Sequence, residues 1–212
     1  MDAQPTLYRL RNTPRKPLIA ETVPACSLDD LLRQNTRLNL KNRRRLALIF
    51  AHSLIRYHTN TWLRDHWGKG HILFFRTPEQ RIVFEHPYIS TFFEAQSPSV
   101  PNLNQFHKEP TILALGILLI EIELGKRIED FRKPTESTDD WCIADRVSKD
   151  MDECGEPYQK VVMSCLDVSW IPVMNTGSLD NQEVLEGYYR HVIDPLEKDY
   201  RHLFQDATAF LC

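Results

Sequence analysis

Apolar residues run almost without interruption through Thr111-Ile-Leu-Ala-Leu-Gly-Ile-Leu-Leu-Ile-Glu-Ile-Glu-Leu-Gly-Lys126, and a helix wound from them keeps almost no polar face. Such a helix is buried all round. It is too short for a bilayer, which needs about 20 apolar residues, and Glu121 and Glu123 are costly in lipid. It predicts the central post of a helical domain, closed by Gly125 as C-terminal cap with Lys126 at the negative end of the dipole.

The other patterns are amphipathic. From Asn42 to His58 the apolar positions Leu46, Ile49, Phe50, Leu54 and Tyr57 recur at helical spacing, and Ser27-Leu-Asp-Asp30 caps a brief helix running to about Arg33. Trp141, Ala144, Val147 and Met151 predict a helix ending near Gly155, and Pro157 opens another through Val161, Val162, Cys165 and Leu166. A last helical stretch starts near Asp180 with Glu183 completing a capping box, and Pro195 is expected to break or kink it before Leu196, Tyr200 and Leu203. Strand patterns are short. Thr6 to Arg11 alternates and Lys16 to Val23 follows a turn, predicting one hairpin; His71 to Phe75 and Arg81 to Phe84 around Thr77-Pro-Glu-Gln80 predict a second. Glu94 to Pro110 has no period, the mark of a functional or mobile loop. The expected fold class is mainly α (α+β), in one domain over 1–212, with an N-terminal hairpin at 1–26 and a helical body at 27–212.

Composition narrows the chemistry. The net charge of −3 gives no bulk reason to expect a nucleic acid or a strongly anionic membrane as partner. The start, Met1-Asp-Ala-Gln-Pro5, carries no secretory signal pattern and the last four residues make no prenylation box, which points to the cytoplasm. Five cysteines without a Cys-x-x-Cys spacing suggest neither a disulfide framework nor a zinc site. His52, His58, His66, His71 and His86 could be gathered by the fold but lack metal-ligand spacing, so no metal and no cofactor is expected. Ser53, Ser90 and Ser164 lack the turn of a nucleophile elbow, and Cys154 beside Gly155 reads as an inert loop thiol. Trp62 and Trp67 read as core anchors. Arg33, Arg37, Lys41, Arg43, Arg44 and Arg45 form a basic run without acids, read as a solvated helix start or, through Arg37, Arg43, Arg44 and Arg45, as phosphate contacts.

Several stretches resemble protein kinases. Leu115 to Lys126 resembles the central helix of the larger kinase lobe, Pro17 to Leu32 the hinge strand and following helix, Leu46 to His58 the helix before the catalytic loop, and Tyr158 to Asp167 a late large-lobe helix. Leu7-Tyr8-Arg9-Leu10, Trp62-Leu63, Trp67, Ile72 to Phe75, Pro87 to Ser90, Leu113 to Glu121 and Pro195-Leu196-Glu197 are similar to a fungal family of kinase-like domains of unknown function, often attached to cell-death and prion-forming modules. The resemblance implies a large lobe with most of the small lobe missing. Phosphoryl transfer needs a Gly-rich loop, a strand lysine, a catalytic Asp and metal-binding Asn and Asp residues. Here Arg64-Asp65 resembles the catalytic pair, His71 stands near the Asn position, and Phe84-Glu85-His86-Pro87 replaces Asp-Phe-Gly. The resulting expectation is a pseudokinase-like, non-catalytic protein-interaction module, in fungal self/non-self recognition or cell-death signalling by the family's implication. Two alternatives stand: a diverged phosphotransferase or nucleotide-binding protein using Asp65 and Glu85, with His71 beside them, and a phosphate-binding adaptor using the Arg33–Arg45 run. Leu7, Leu10, Leu18, Ile19 and Val23 on the first hairpin are the expected surface for a protein partner or self-association, because two strands alone are marginal in water.

Overall fold

The computed structural model describes residues 26–58, 68–91, 107, 109–134, 139–172 and 179–204, with residues 6–9 and 91 described as backbone alone. It is mainly helical, with one small antiparallel sheet. Strands β1 (Thr6–Arg9), β2 (Cys26–Ser27), β3 (Ile72–Phe74) and β4 (Tyr88–Thr91) lie in the order β1-β4-β3-β2. The register runs from Thr6 opposite Thr91 to Arg9 opposite Tyr88, then Ile72 opposite Ile89 and Cys26 opposite Phe74. Ile72, Phe74 and Ile89 turn inward and are buried.

The first predicted hairpin is described in one arm only. The partner of β1 among the described strands is β4, and the 16–23 segment lies outside the described residues together with Leu10, Leu18, Ile19 and Val23. The second hairpin is present in loosened form: Arg76 bridges Ile82, and Val83 N–H donates to the Phe75 carbonyl at 2.9 Å, while β3 gives its ladder to β4 and β2.

The helices are α1 (Leu28–Arg33), α2 (Leu40–Tyr57), α3 (Pro110–Leu124), α4 (Asp140–Lys149), α5 (Glu156–Leu166), α6 (Gln182–Tyr188) and α7 (Asp194–Phe204). The capping box of α1 forms as the sequence predicts, with Ser27 Oγ accepting from Asp30 N–H and Ser27 N–H donating back to Asp30, each at 3.0 Å. Helix α3 is the buried post. Pro110 occupies its first turn, ten of its residues from Ile112 to Glu123 are buried, and Gly125 ends it with φ 67 while donating to the Glu121 carbonyl. Around it pack α2, α4 and α5. Gly116 is the point of closest approach, since a Cβ there would lie 2.8 Å from Cys165 Cβ on α5.

Helix ends differ from expectation for local reasons. The helix predicted to reach Gly155 stops at Lys149, and Met151 turns into the core ahead of a 3-10 turn at Asp152–Cys154. Trp141, expected on the apolar face, is 40% exposed; its indole N–H is satisfied by the Leu166 carbonyl at 3.2 Å. The cap of α6 is Asn181 rather than Asp180, accepting from Glu183 N–H at 2.8 Å. Pro195 neither breaks nor ends the last helical run. A π turn at Tyr189–Ile193 widens the chain ahead of it, so Pro195 enters the first turn of α7, where its missing N–H and its ring are tolerated.

Candidate functional site

Two arginines of the basic run do not sit in water. Asn39 caps α2, and the first turns of that helix lie against α3 and α7, which buries Arg43 and Arg44. Arg44 donates to Asp199 at 2.8 Å, to Glu123 at 2.5 Å and to the Cys154 carbonyl at 2.5 Å, and its guanidinium lies 3.9 Å above the Tyr158 ring. Arg43 donates to the Glu123 carbonyl at 3.3 Å. Neither is a solvated residue or available to a phosphate, which corrects both readings at these two positions; Arg45 is held by Glu85 at 2.9 Å, whereas Arg33, Arg37 and Lys41 are exposed, Arg37 with Glu153 at 3.8 Å. The acids that bind Arg44 come from α3 and α7, far away in sequence, so local spacing carried no sign of them. Cys154 beside this node is buried, and desolvation pushes its thiol up to about 11.

The positions expected from the sequence to stand at a catalytic site divide. Asp65, His66, Trp62 and Trp67 lie outside the described residues. His71 precedes β3, its carbonyl accepting from Ser90 N–H at 2.8 Å. Glu85 is the residue that Arg45 holds, so the carboxylate expected to face a cation faces a guanidinium. Nearby in sequence, Lys69 reaches the central helix: its ammonium lies 2.6 Å from Glu121 Oε1 and 2.8 Å from Glu129 Oε2. Ile128 N–H donates to the same Glu121 oxygen at 2.9 Å. Burial pushes Glu121 up to about 7 against the pull of Lys69, whereas on Glu129 burial, the largest single influence, is outweighed by Lys69, a backbone hydrogen bond and Arg127 together, which hold its pKa down. His52 pairs with Glu197 at 3.1 Å and His58 with Asp180 at 3.2 Å. Among the described residues no three His, Cys, Asp or Glu side chains are placed to hold a metal ion, and no helix is long and apolar enough to cross a membrane.

An open groove of about 780 Å³ runs between α5 and α7. Its floor carries Pro157, Met163, Trp170 and Pro195. Trp170 follows α5, is tethered by its indole N–H to the Ser164 carbonyl at 2.8 Å, and stacks on His191 with ring centroids 5.5 Å apart and planes 19° from parallel. Gly187 makes room for it, since a Cβ there would come within 2.6 Å of the indole. The π turn sets Arg190 and His191 on the α7 rim, continued by Asp194, Lys198 and His202 at four-residue steps. Burial, then Arg190, lowers the His191 pKa, so its imidazole is neutral at pH 7. Sequence reasoning missed this groove because its rims are two helices joined only by packing. The one local signal was Pro195 inside a helical pattern just after Arg190-His191, since π turns frequently accompany functional sites.

The chain belongs to the family described as a domain of unknown function, DUF7580, which matches residues 3–202. No curated protein and no solved structure matches it.

Proposed function

We propose that this DUF7580 chain is a non-catalytic, kinase-like module of the cytoplasm that binds another protein, in the self/non-self or cell-death setting implied by its resemblance to fungal kinase-like domains. The observation that carries the reading is the groove between α5 and α7, an open surface with an apolar floor and charged rims, of the kind that receives a protein segment. It is supported by the engagement of Glu85, the described candidate for a metal-binding carboxylate, with Arg45 at 2.9 Å. A carboxylate so engaged would have to leave its partner before it could grip a metal ion.

Titration calorimetry of the full chain with Mg-ATP tests the reading. No heat of binding and no phosphate transfer are expected. Micromolar binding that disappears on Asp65→Asn or Glu85→Gln would overturn it in favour of the phosphotransferase alternative.

A further inference from the structure

We propose that Lys69, Glu121 and Glu129 form a proton-closed latch: a proton on Glu121 keeps the 68–71 loop and the 3-10 turn Ile128–Phe131 seated on the end of α3, and loss of that proton lets them part from it. The latch stands apart from the groove and from the partner-binding reading.

Geometry joins the parts. The Lys69 ammonium lies 2.6 Å from Glu121 Oε1 and 2.8 Å from Glu129 Oε2, and the Lys69 carbonyl accepts from Asp29 N–H, in the first turn of α1, at 3.2 Å. Ile128 N–H donates to the same Glu121 oxygen at 2.9 Å. One carboxylate thus fastens both the loop entering β3 and the turn after α3 to the central helix, and the loop in turn holds α1.

Charge decides what this fastening responds to. Two carboxylates share one ammonium, and Glu121 is 1% exposed whereas the Glu129 side chain is 41% exposed. The cations around them have acids of their own: Arg127 has Asp130 at 2.6 Å, Arg132 has Asp140 at 3.4 Å and Arg33 has Asp29 at 2.7 Å. Arg43 and Arg44, arriving from α2, meet Glu123 instead, and Tyr158 from α5 donates to the Leu119 carbonyl at 3.0 Å. Asp140 on α4 adds a further acid, raised by burial and then by Glu129. The node therefore holds one negative charge more than its ammonium balances. Glu129 keeps its charge in contact with water, so the proton goes to the sealed carboxylate. The pKa directions agree, with Glu121 raised to about 7, by burial first, and Glu129 below its ordinary value.

The sign follows from that proton. An opening that brings water to Glu121 returns it to its ordinary value of 4.5, so opening releases a proton at any pH between there and about 7. The closed latch is fully favoured below about pH 4.5 and loses its advantage as pH rises through about 7. Over that window the opening constant rises by at most about tenfold per pH unit, and above it the constant is level.

Amide hydrogen exchange of the full chain, read residue by residue by NMR from about pH 5 to about pH 8 and corrected for intrinsic rates, tests the latch. Ile128 should exchange faster than Val162 on α5, through an opening that low urea does not promote, and its protection should fall by up to about tenfold per pH unit until it levels near pH 7. Glu121→Gln keeps the shape and an acceptor oxygen for Lys69 and Ile128, and should make the protection of Ile128 independent of pH. Glu129→Gln removes the competing carboxylate and leaves Lys69 to Glu121, so the levelling point should move to lower pH. Protection of Ile128 that ignores pH in the native chain would overturn the proposal, as would a levelling point unmoved by Glu129→Gln. A pH dependence that survives Glu121→Gln would overturn it too, assigning the effect to His71 or Asp140. So would exchange of Ile128 in step with Val162 and equally promoted by urea, which leaves unfolding of the whole domain in place of a local latch.

Discussion

Two buried ionic residues, Glu121 and Arg44, carry opposite consequences. Glu121 is 1% exposed, and its pKa of about 7 lies above the ordinary 4.5, so between those values the folded chain keeps a proton that the unfolded chain releases. Stability from this group is present in full below about pH 4.5 and is lost as pH rises through about 7. Glu121→Gln removes that titration. The melting temperature of the native chain minus that of Glu121→Gln should therefore fall steadily from pH 4.5 to 7.5. A flat difference would mean that Lys69 keeps the carboxylate ionised throughout. Arg44 shows the reverse case, a charge already compensated on every side. Arg44→Met leaves Glu123 and Asp199 facing each other without their cation, and a loss of about 3–5 kcal/mol is expected in urea unfolding. A loss below about 1 kcal/mol would show that Arg43, whose Nε is 3.4 Å from Glu123, takes over.

At the scale of elements, legibility followed the range of the forces. The post α3, the capping box of α1 and the opening of α5 at Pro157 were readable because apolar period, cap and proline act within a few residues. The close contact at Gly116 was readable too, since glycine inside a helix costs about 1 kcal/mol relative to Ala and needs a packing reason. What escaped was decided across the fold. The pairing of β1 with β4, the burial of Arg43 and Arg44 and the groove rims all depend on which helix or strand arrives from elsewhere in the chain. Gly116 also supports a graded prediction. Even a methyl must push α5 away, because its Cβ would lie 2.8 Å from Cys165 and 3.2 Å from Leu166. Gly116→Ala should lower stability by about 1–3 kcal/mol despite its better helix propensity, and Gly116→Leu should unfold the domain. An unchanged melting temperature in Gly116→Leu would refute the buried post.

For the whole molecule the informative cut is at the N-terminus. Read from sequence, residues 6–23 form a hairpin serving as an interaction surface, and its removal is expected to abolish association. The observed topology changes that expectation. Among the described strands β1 is at the end of the sheet, and it covers β4 over four residue pairs, from Thr6 opposite Thr91 to Arg9 opposite Tyr88. Deleting residues 1–15 therefore uncovers an inner strand, whose Ile89 is 1% exposed and whose Tyr88 and Ser90 are also buried. Backbone donors and acceptors on β4 lose their partners, and an unpaired edge of this kind recruits a strand from another chain. The truncated protein should keep its far-ultraviolet helical signal, because α2, α3 and α5 pack on one another without the sheet. It should also melt earlier and show concentration-dependent association by light scattering beyond that of the full chain. A truncated chain that stays monomeric and melts with the intact protein would show that β1 contributes nothing to the sheet, and would return residues 6–23 to the role of a surface offered to partners.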